Sequence, residues 1–179
     1  MRGKEKFEEV LKENSLYGRC KTSVNQWIIY GVSGFVMSMM PTLLYTSPMF
    51  DVSVRDSLTQ LIGVGLGCTI LMAWAYRSVA LQRRIRLLSK HQIPQNKSGG
   101  SIAKKEREEA QIAFEAKTSD ISCAYALMTV NAAYLILWIA CAFSILPKLW
   151  TDMSSNINHL IAIAGTSIFL ASRAATFLA

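Results

Sequence analysis

Four stretches of this chain are almost free of ionisable side chains: residues 22–50, 57–76, 121–147 and 153–172, the last holding only His159. About 20 apolar residues in a helix cross a hydrocarbon core roughly 30 Å thick, and only helices or closed barrels satisfy every backbone group there. The pattern therefore predicts an all-α membrane protein with four transmembrane helices. Hydrophobic residues make up 51% of the chain and charged residues only 17%, with the charges confined to a few blocks. Little sequence remains for a soluble domain.

Orientation follows from Lys and Arg, because cytoplasmic flanks retain positive charge during insertion. The N-terminal flank holds Arg2, Lys4, Lys6, Lys12, Arg19 and Lys21, and the segment between the second and third stretches holds ten more basic residues. With Arg173, one side carries 17 of the 19 Lys and Arg residues, against Arg55 and Lys148 on the other. Both termini are expected in the cytosol. The expected order is a cytosolic segment 1–25, spans at 26–47 and 57–76 joined by a lumenal connection 48–56, a cytosolic basic helical hairpin 77–119, spans at 120–146 and 154–174 joined by a lumenal connection 147–153, and a cytosolic end 175–179. The first span is too long for a cleaved signal peptide and reads as a retained anchor. Cys20, Cys68, Cys123 and Cys141 suggest neither a disulfide nor a zinc site.

Before the membrane, Phe7, Val10 and Leu11 recur at helical spacing in a Glu/Lys-rich stretch, predicting a short amphipathic helix ending near Gly18. Pro41 falls near the end of span one, and Thr46-Ser47-Pro48 reads as its exit. Span two meets no glycine or proline between Tyr76 and Pro94, so its helix is expected to project from the membrane for three or more turns. Arg83, Arg86 and Lys90 share one face of that projection, and Arg77 and Arg84 mark a neighbouring one. Residues 92–101, with Pro94 and Gly99-Gly100, read as a turn. A return helix over about 102–118 carries the i,i+4 pairs Lys104 with Glu108 and Lys105 with Glu109.

Residue chemistry argues against catalysis. Gly63, Gly65 and Gly67 lie inside a predicted membrane helix, not after a strand, so they are no phosphate loop; Gly63 and Gly67 form a small-xxx-small pattern suited to helix packing. The two histidines, His91 and His159, fall on opposite sides of the membrane, which disfavours a metal site or general base, and no cofactor or metal is expected. Ser38 and Ser144 lack a base and are expected to bond carbonyls within their own helices. Trp27, Trp74 and Trp150 lie near span ends, where indoles suit the headgroup boundary, and Asn131, Asn156 and Asn158 are candidates for interhelical hydrogen bonds.

The basic hairpin is then the strongest functional signal. Membrane lipids with anionic headgroups attract such charges near the surface. A helix projecting away carries its later charges beyond a Debye length of roughly 8 Å, where a large polyanion such as RNA is the better partner.

The order of features resembles the gamma subunit of the translocon-associated protein complex, the signal sequence receptor of the endoplasmic reticulum. Ser38-Met39-Met40-Pro41-Thr42-Leu43-Leu44-Tyr45 is similar to that family's proline-containing end of span one. Ala73-Trp74-Ala75-Tyr76-Arg77-Ser78-Val79 looks like its span-two exit, and residues 104–122, with Glu115-Ala116, look like its charged return helix. The hairpin is shorter than in animal members, with a Gly/Ser-rich tip. The resemblance implies a non-catalytic subunit in a hetero-oligomer with the other complex subunits. It further implies docking on the large ribosomal subunit, through ribosomal RNA and a ribosomal protein, beside the Sec61 channel, and help for nascent chains entering it. By position, Arg83, Arg84, Arg86, Lys90, Lys97, Lys104, Lys105 and Arg107 are the expected phosphate contacts, which position without reading base sequence. An Oxa1-type insertase needs a hydrophilic groove in the bilayer, and a small channel or transporter generally needs ionisable residues there; the charge-free spans disfavour both.

Overall fold

With no proline between Val54 and Lys90, the chain sustains one helix, α2 (Val54–Lys90), of 37 residues. At 1.5 Å per residue that is about 55 Å, well beyond the roughly 30 Å of a hydrocarbon core. The computed structural model describes residue 20 and residues 22–45, 54–90, 101–149 and 155–176. Before α2 lies α1 (Val24–Tyr45), and after it come α3 (Ser101–Ile139), a π-helical turn (Ala140–Ile145), the short α4 (Leu146–Leu149) and α5 (Ser155–Thr176). No strand occurs among the described residues. The expected amphipathic helix before residue 18, the exit at Thr46-Ser47-Pro48, the turn at 92–100 and Trp150 lie outside them.

Local chemistry explains the helix ends. Ser23 and Gln26 form a reciprocal capping box at the start of α1: the Ser23 N–H donates to Gln26 Oε1 at 3.2 Å and the Gln26 N–H to Ser23 Oγ at 3.2 Å. The return helix and the third apolar stretch, read separately in the sequence, are one continuous helix of 39 residues. That helix passes through the π-helical turn into α4, so the chain stays helical to Leu149, past Pro147. Proline removes one N–H and crowds the carbonyl four residues back, which here is Phe143, inside the widened π turn that precedes it.

Around α2 the other long helices assemble: α1, α3 and α5 all pack on it, and α3 also touches α5. One core joins Tyr30 of α1, Met72 and Tyr76 of α2, Ala126, Val130 and Tyr134 of α3, and Ala174 of α5. A second joins Cys68, Trp138, Ala162 and Ile163. The Tyr76 hydroxyl donates to Asn131 Oδ1, the interhelical bond anticipated for that asparagine. Asn158 Oδ1, by contrast, is buried without a hydrogen-bond partner. Ser38 reaches further than its own helix. Its hydroxyl lies 3.0 Å from Phe35 O, but also 3.3 Å from Gly65 O and 3.1 Å from Thr69 Oγ1 of α2.

Glycines explain why α1 and α2 approach so closely. A Cβ on Gly34 would stand 3.0 Å from Thr69 O and 3.3 Å from Met72 Cβ, and one on Gly65 would meet the Met39 methyl. Gly63 and Gly67 face open space instead, so no described helix of this chain packs on that pair.

Large apolar side chains cover the outside: Ile28, Val32, Phe35 and Val36 on α1, Leu66 and Ile70 on α2, and Ile168 and Phe169 on α5 are exposed. Water does not solvate such a surface favourably, whereas lipid chains do. Among the described residues, three helices are long and apolar enough to cross a membrane by length and composition, over Ile62–Ser89, Glu109–Ile145 and Ile157–Thr176. α1 carries no charged residue across its 22 residues, and Ile28, Ile29, Val32, Phe35, Val36 and Met40 give it an exposed apolar surface.

Candidate functional site

The basic residues concentrate where α2 leaves the apolar part of the bundle, and the structure sorts them. Arg77 comes first, half-buried, with its guanidinium 5.4 Å from the Trp27 ring centre and 5.5 Å from that of Trp74. Both indoles are themselves exposed, at 41% and 44%. A cation stacked on two amphipathic rings makes a collar of the kind that sits at a membrane–water boundary. Directly inside the collar, the Tyr30 and Tyr76 rings pack with centroids 6.0 Å apart.

One and a half turns on, Arg83 lies over the Tyr125 ring of α3 at 4.7 Å, tying the two long helices together. Arg84 is half-buried and lines a small cavity with Arg77, Thr22, Gln26, Ser119 and Ser122. It also stands near Cys20, a buried thiol pushed above its usual range by burial, with Arg84 opposing the shift and Glu115 adding to it. Arg86 is exposed. Of the three neighbouring arginines, therefore, two are engaged within the protein and the third faces outward.

The inward face of this part of α2 is an apolar seam. Leu81 and Ile85 are buried against Cys20, with Leu88 packed beside them. Their spacing of four and three residues is helical, a signal that the surrounding arginines obscure in the sequence. On the opposite side, Gln26 Nε2 donates to Ser119 Oγ at 2.7 Å, which fastens the first turn of α1 to α3. The emerging part of α2 is thus held by α3 and by the segment before α1.

The remaining anticipated contacts sit farther out. Lys90 is the last residue of α2, Lys104, Lys105 and Arg107 lie in the first two turns of α3, and Lys97 falls outside the described residues. From Tyr76 to Lys90 the helix rises about 21 Å. On α3, residues 109–113 are exposed on every side, including Ile112 at 68%.

Among the described residues no group of three His, Cys, Asp or Glu side chains converges to hold a metal ion. All four cysteines are free. His159 is buried in the second core, its ring 6.3 Å from that of Trp138 in an edge-on arrangement.

Residues 8–175 match the model of the family described as the translocon-associated protein, gamma subunit. A search of curated proteins found no match.

Proposed function

The chain belongs to the translocon-associated protein gamma-subunit family, and from that membership we propose that it is a non-catalytic, four-span subunit of the endoplasmic reticulum membrane. In this reading it docks the complex on the ribosome through the basic extensions of α2 and α3, beside the Sec61 channel, and assists co-translational translocation. The observation that carries it is the unbroken course of α2 from a charge-free segment, past the Arg77 collar, to Lys90. An arm rising about 21 Å beyond Tyr76 carries its outer charges more than one Debye length past the headgroups. At that distance its charges serve a polyanion better than they serve lipid.

α1, 22 residues without a charge, is the first of the four spans. Two of its polar side chains have partners within the bundle: Ser38 bonds to α1 and α2, and Gln26 to Ser119. A polar side chain bonded within a bundle costs little in a membrane compared with one facing lipid. The spans are then 26–47, 57–76, 120–146 and 154–174, with both termini in the cytosol and the basic hairpin 77–119 between spans two and three. Arg86, Lys90, Lys97, Lys104, Lys105 and Arg107 make phosphate contacts, and Arg83 and Arg84 fix the arm's direction. The small-residue face of Gly63 and Gly67 suits a neighbouring subunit's helix.

Affinity purification of the chain in mild detergent tests the assignment. Ribosomes, the Sec61 channel and other translocon-associated subunits are expected to co-purify, with high salt removing the ribosomes and leaving the membrane partners. Recovery of the chain free of all three overturns it.

A further inference from the structure

The arm of α2 carries an apolar seam that phosphate contacts do not require. Leu81, Ile85 and Leu88 recur at intervals of four and three residues on one face of the helix. Gln82, Arg86 and Lys90 follow at intervals of four along the adjoining stripe. From residue 77 to residue 90 the helix holds five basic residues, Arg77, Arg83, Arg84, Arg86 and Lys90, and no Asp or Glu.

A basic helix with apolar anchors at i, i+4 and i+7 fits an apolar groove with acidic rims, the mode in which EF-hand proteins take their targets. A bilayer surface is the other common partner of such a helix. Direction argues against the bilayer here, because α2 runs unbroken from span two to Lys90 and so stands on the membrane in the four-span reading. Local contacts leave part of the surface available. Leu81 and Ile85 are buried against Cys20, whereas Leu88 is only partly buried. Gln82 Nε2 is buried without a hydrogen-bond partner, and Arg86, one turn on, is exposed. An amide N–H and a guanidinium at that spacing can be taken together by the carbonyls and carboxylates of a groove's rim.

We propose that the arm of α2 from Leu81 to Lys90 is a target helix for an acidic EF-hand protein of the calmodulin class, whose apolar groove takes Leu81, Ile85 and Leu88. Calcium opens that groove, so capture depends on calcium. The partner displaces the contact at Cys20 and covers Arg86 and Lys90, which makes capture and ribosome docking mutually exclusive. The arm's cytosolic position and the exclusion rest on the function proposed above; capture itself needs no ribosome.

The test uses the full-length, ribosome-free chain in mild detergent, with purified calmodulin as the probe. A one-to-one complex is expected in calcium and none after chelation. Leu88→Gln removes an anchor at the partly buried end of the seam and keeps every charge. It should weaken capture about tenfold or more, the scale of one lost leucine, and leave ribosome co-sedimentation as in the wild type. Arg86→Gln combined with Lys90→Gln should weaken both. No complex in calcium overturns the proposal. So does a complex that persists in chelator, or one that weakens in the charge variant but not in Leu88→Gln, because either marks attraction between charges alone. A second measurement needs no variant. The Cys20 thiol, buried against the seam, should react faster with a maleimide once calcium and calmodulin are added, read by peptide mass spectrometry. Unchanged Cys20 labelling in a formed complex means that another surface was taken, and it overturns the assignment.

Discussion

Replacing Arg86, Lys90, Lys97, Lys104, Lys105 and Arg107 together by glutamine is expected to abolish ribosome co-sedimentation at physiological salt while leaving membrane insertion intact. Each phosphate contact releases condensed counterions, so log K falls with log[salt] by roughly 0.7 to 0.9 per contact. Removing six contacts should flatten that slope by roughly 4 to 5 and lower affinity on the order of a thousandfold. Co-sedimentation across a salt series reads both quantities. The same exchange at Arg83 and Arg84 should behave differently. Arg83 lies over Tyr125 and Arg84 lines the cavity with Arg77. Their loss loosens the foot of the arm, which appears as lower thermal stability with little change in salt slope. If the sextuple variant sediments with ribosomes as the wild type does, with the same slope, the outer charges do not dock.

The second large effect is expected at Gly34. Leucine there must enter a space where even a Cβ stands 3.0 Å from the Thr69 carbonyl oxygen and 3.3 Å from Met72 Cβ. Backbone cannot yield as a side-chain end can, so α1 must separate from α2. The Ser38 bonds to Gly65 and Thr69 lie one turn along the same crossing and should be lost with it. Overpacking a well-filled contact typically costs about 1 to 3 kcal/mol, with the lost hydrogen bonds adding to that. Gly65→Ala should be milder, because the atom it meets is the flexible Met39 methyl, and Gly63→Leu should be nearly neutral to the isolated chain. Unfolding in mixed micelles, followed by far-ultraviolet circular dichroism, ranks the three. Equal stability of Gly34→Leu and Gly63→Leu contradicts the crossing described here.

How the sequence led to these results differs from element to element. The helices were legible because charge-free stretches mark them, not because proline ends them, since Pro41 lies inside α1 and Pro147 inside α4: the first stretch becomes Val24–Tyr45, the last Ser155–Thr176, and α2 runs unbroken to Lys90. Packing faces were not legible. Gly63 and Gly67 have the spacing of a contact, yet the contact forms at Gly34 and Gly65, because a helix face becomes an interface only when a partner lies against it. Ser38 shows the same limit, since its bonding groups on α2 lie 27 and 31 residues away. For the arginines, sequence spacing put Arg83 and Arg86 on one face, and Tyr125 then separated them by engaging the first. The Leu81, Ile85 and Leu88 seam was present in the spacing but masked by the charges around it.

Asn96-Lys97-Ser98 supplies the most direct test of the central claim, because it is an N-glycosylation sequon within the basic segment. Glycans are added only on the lumenal side. Translated into microsomes, the chain should show no glycosidase-sensitive mass shift from Asn96, while a sequon carried on a spacer within residues 48–56 should be modified. A glycan on Asn96 would put the basic segment in the lumen, out of reach of the ribosome, and contradict the account.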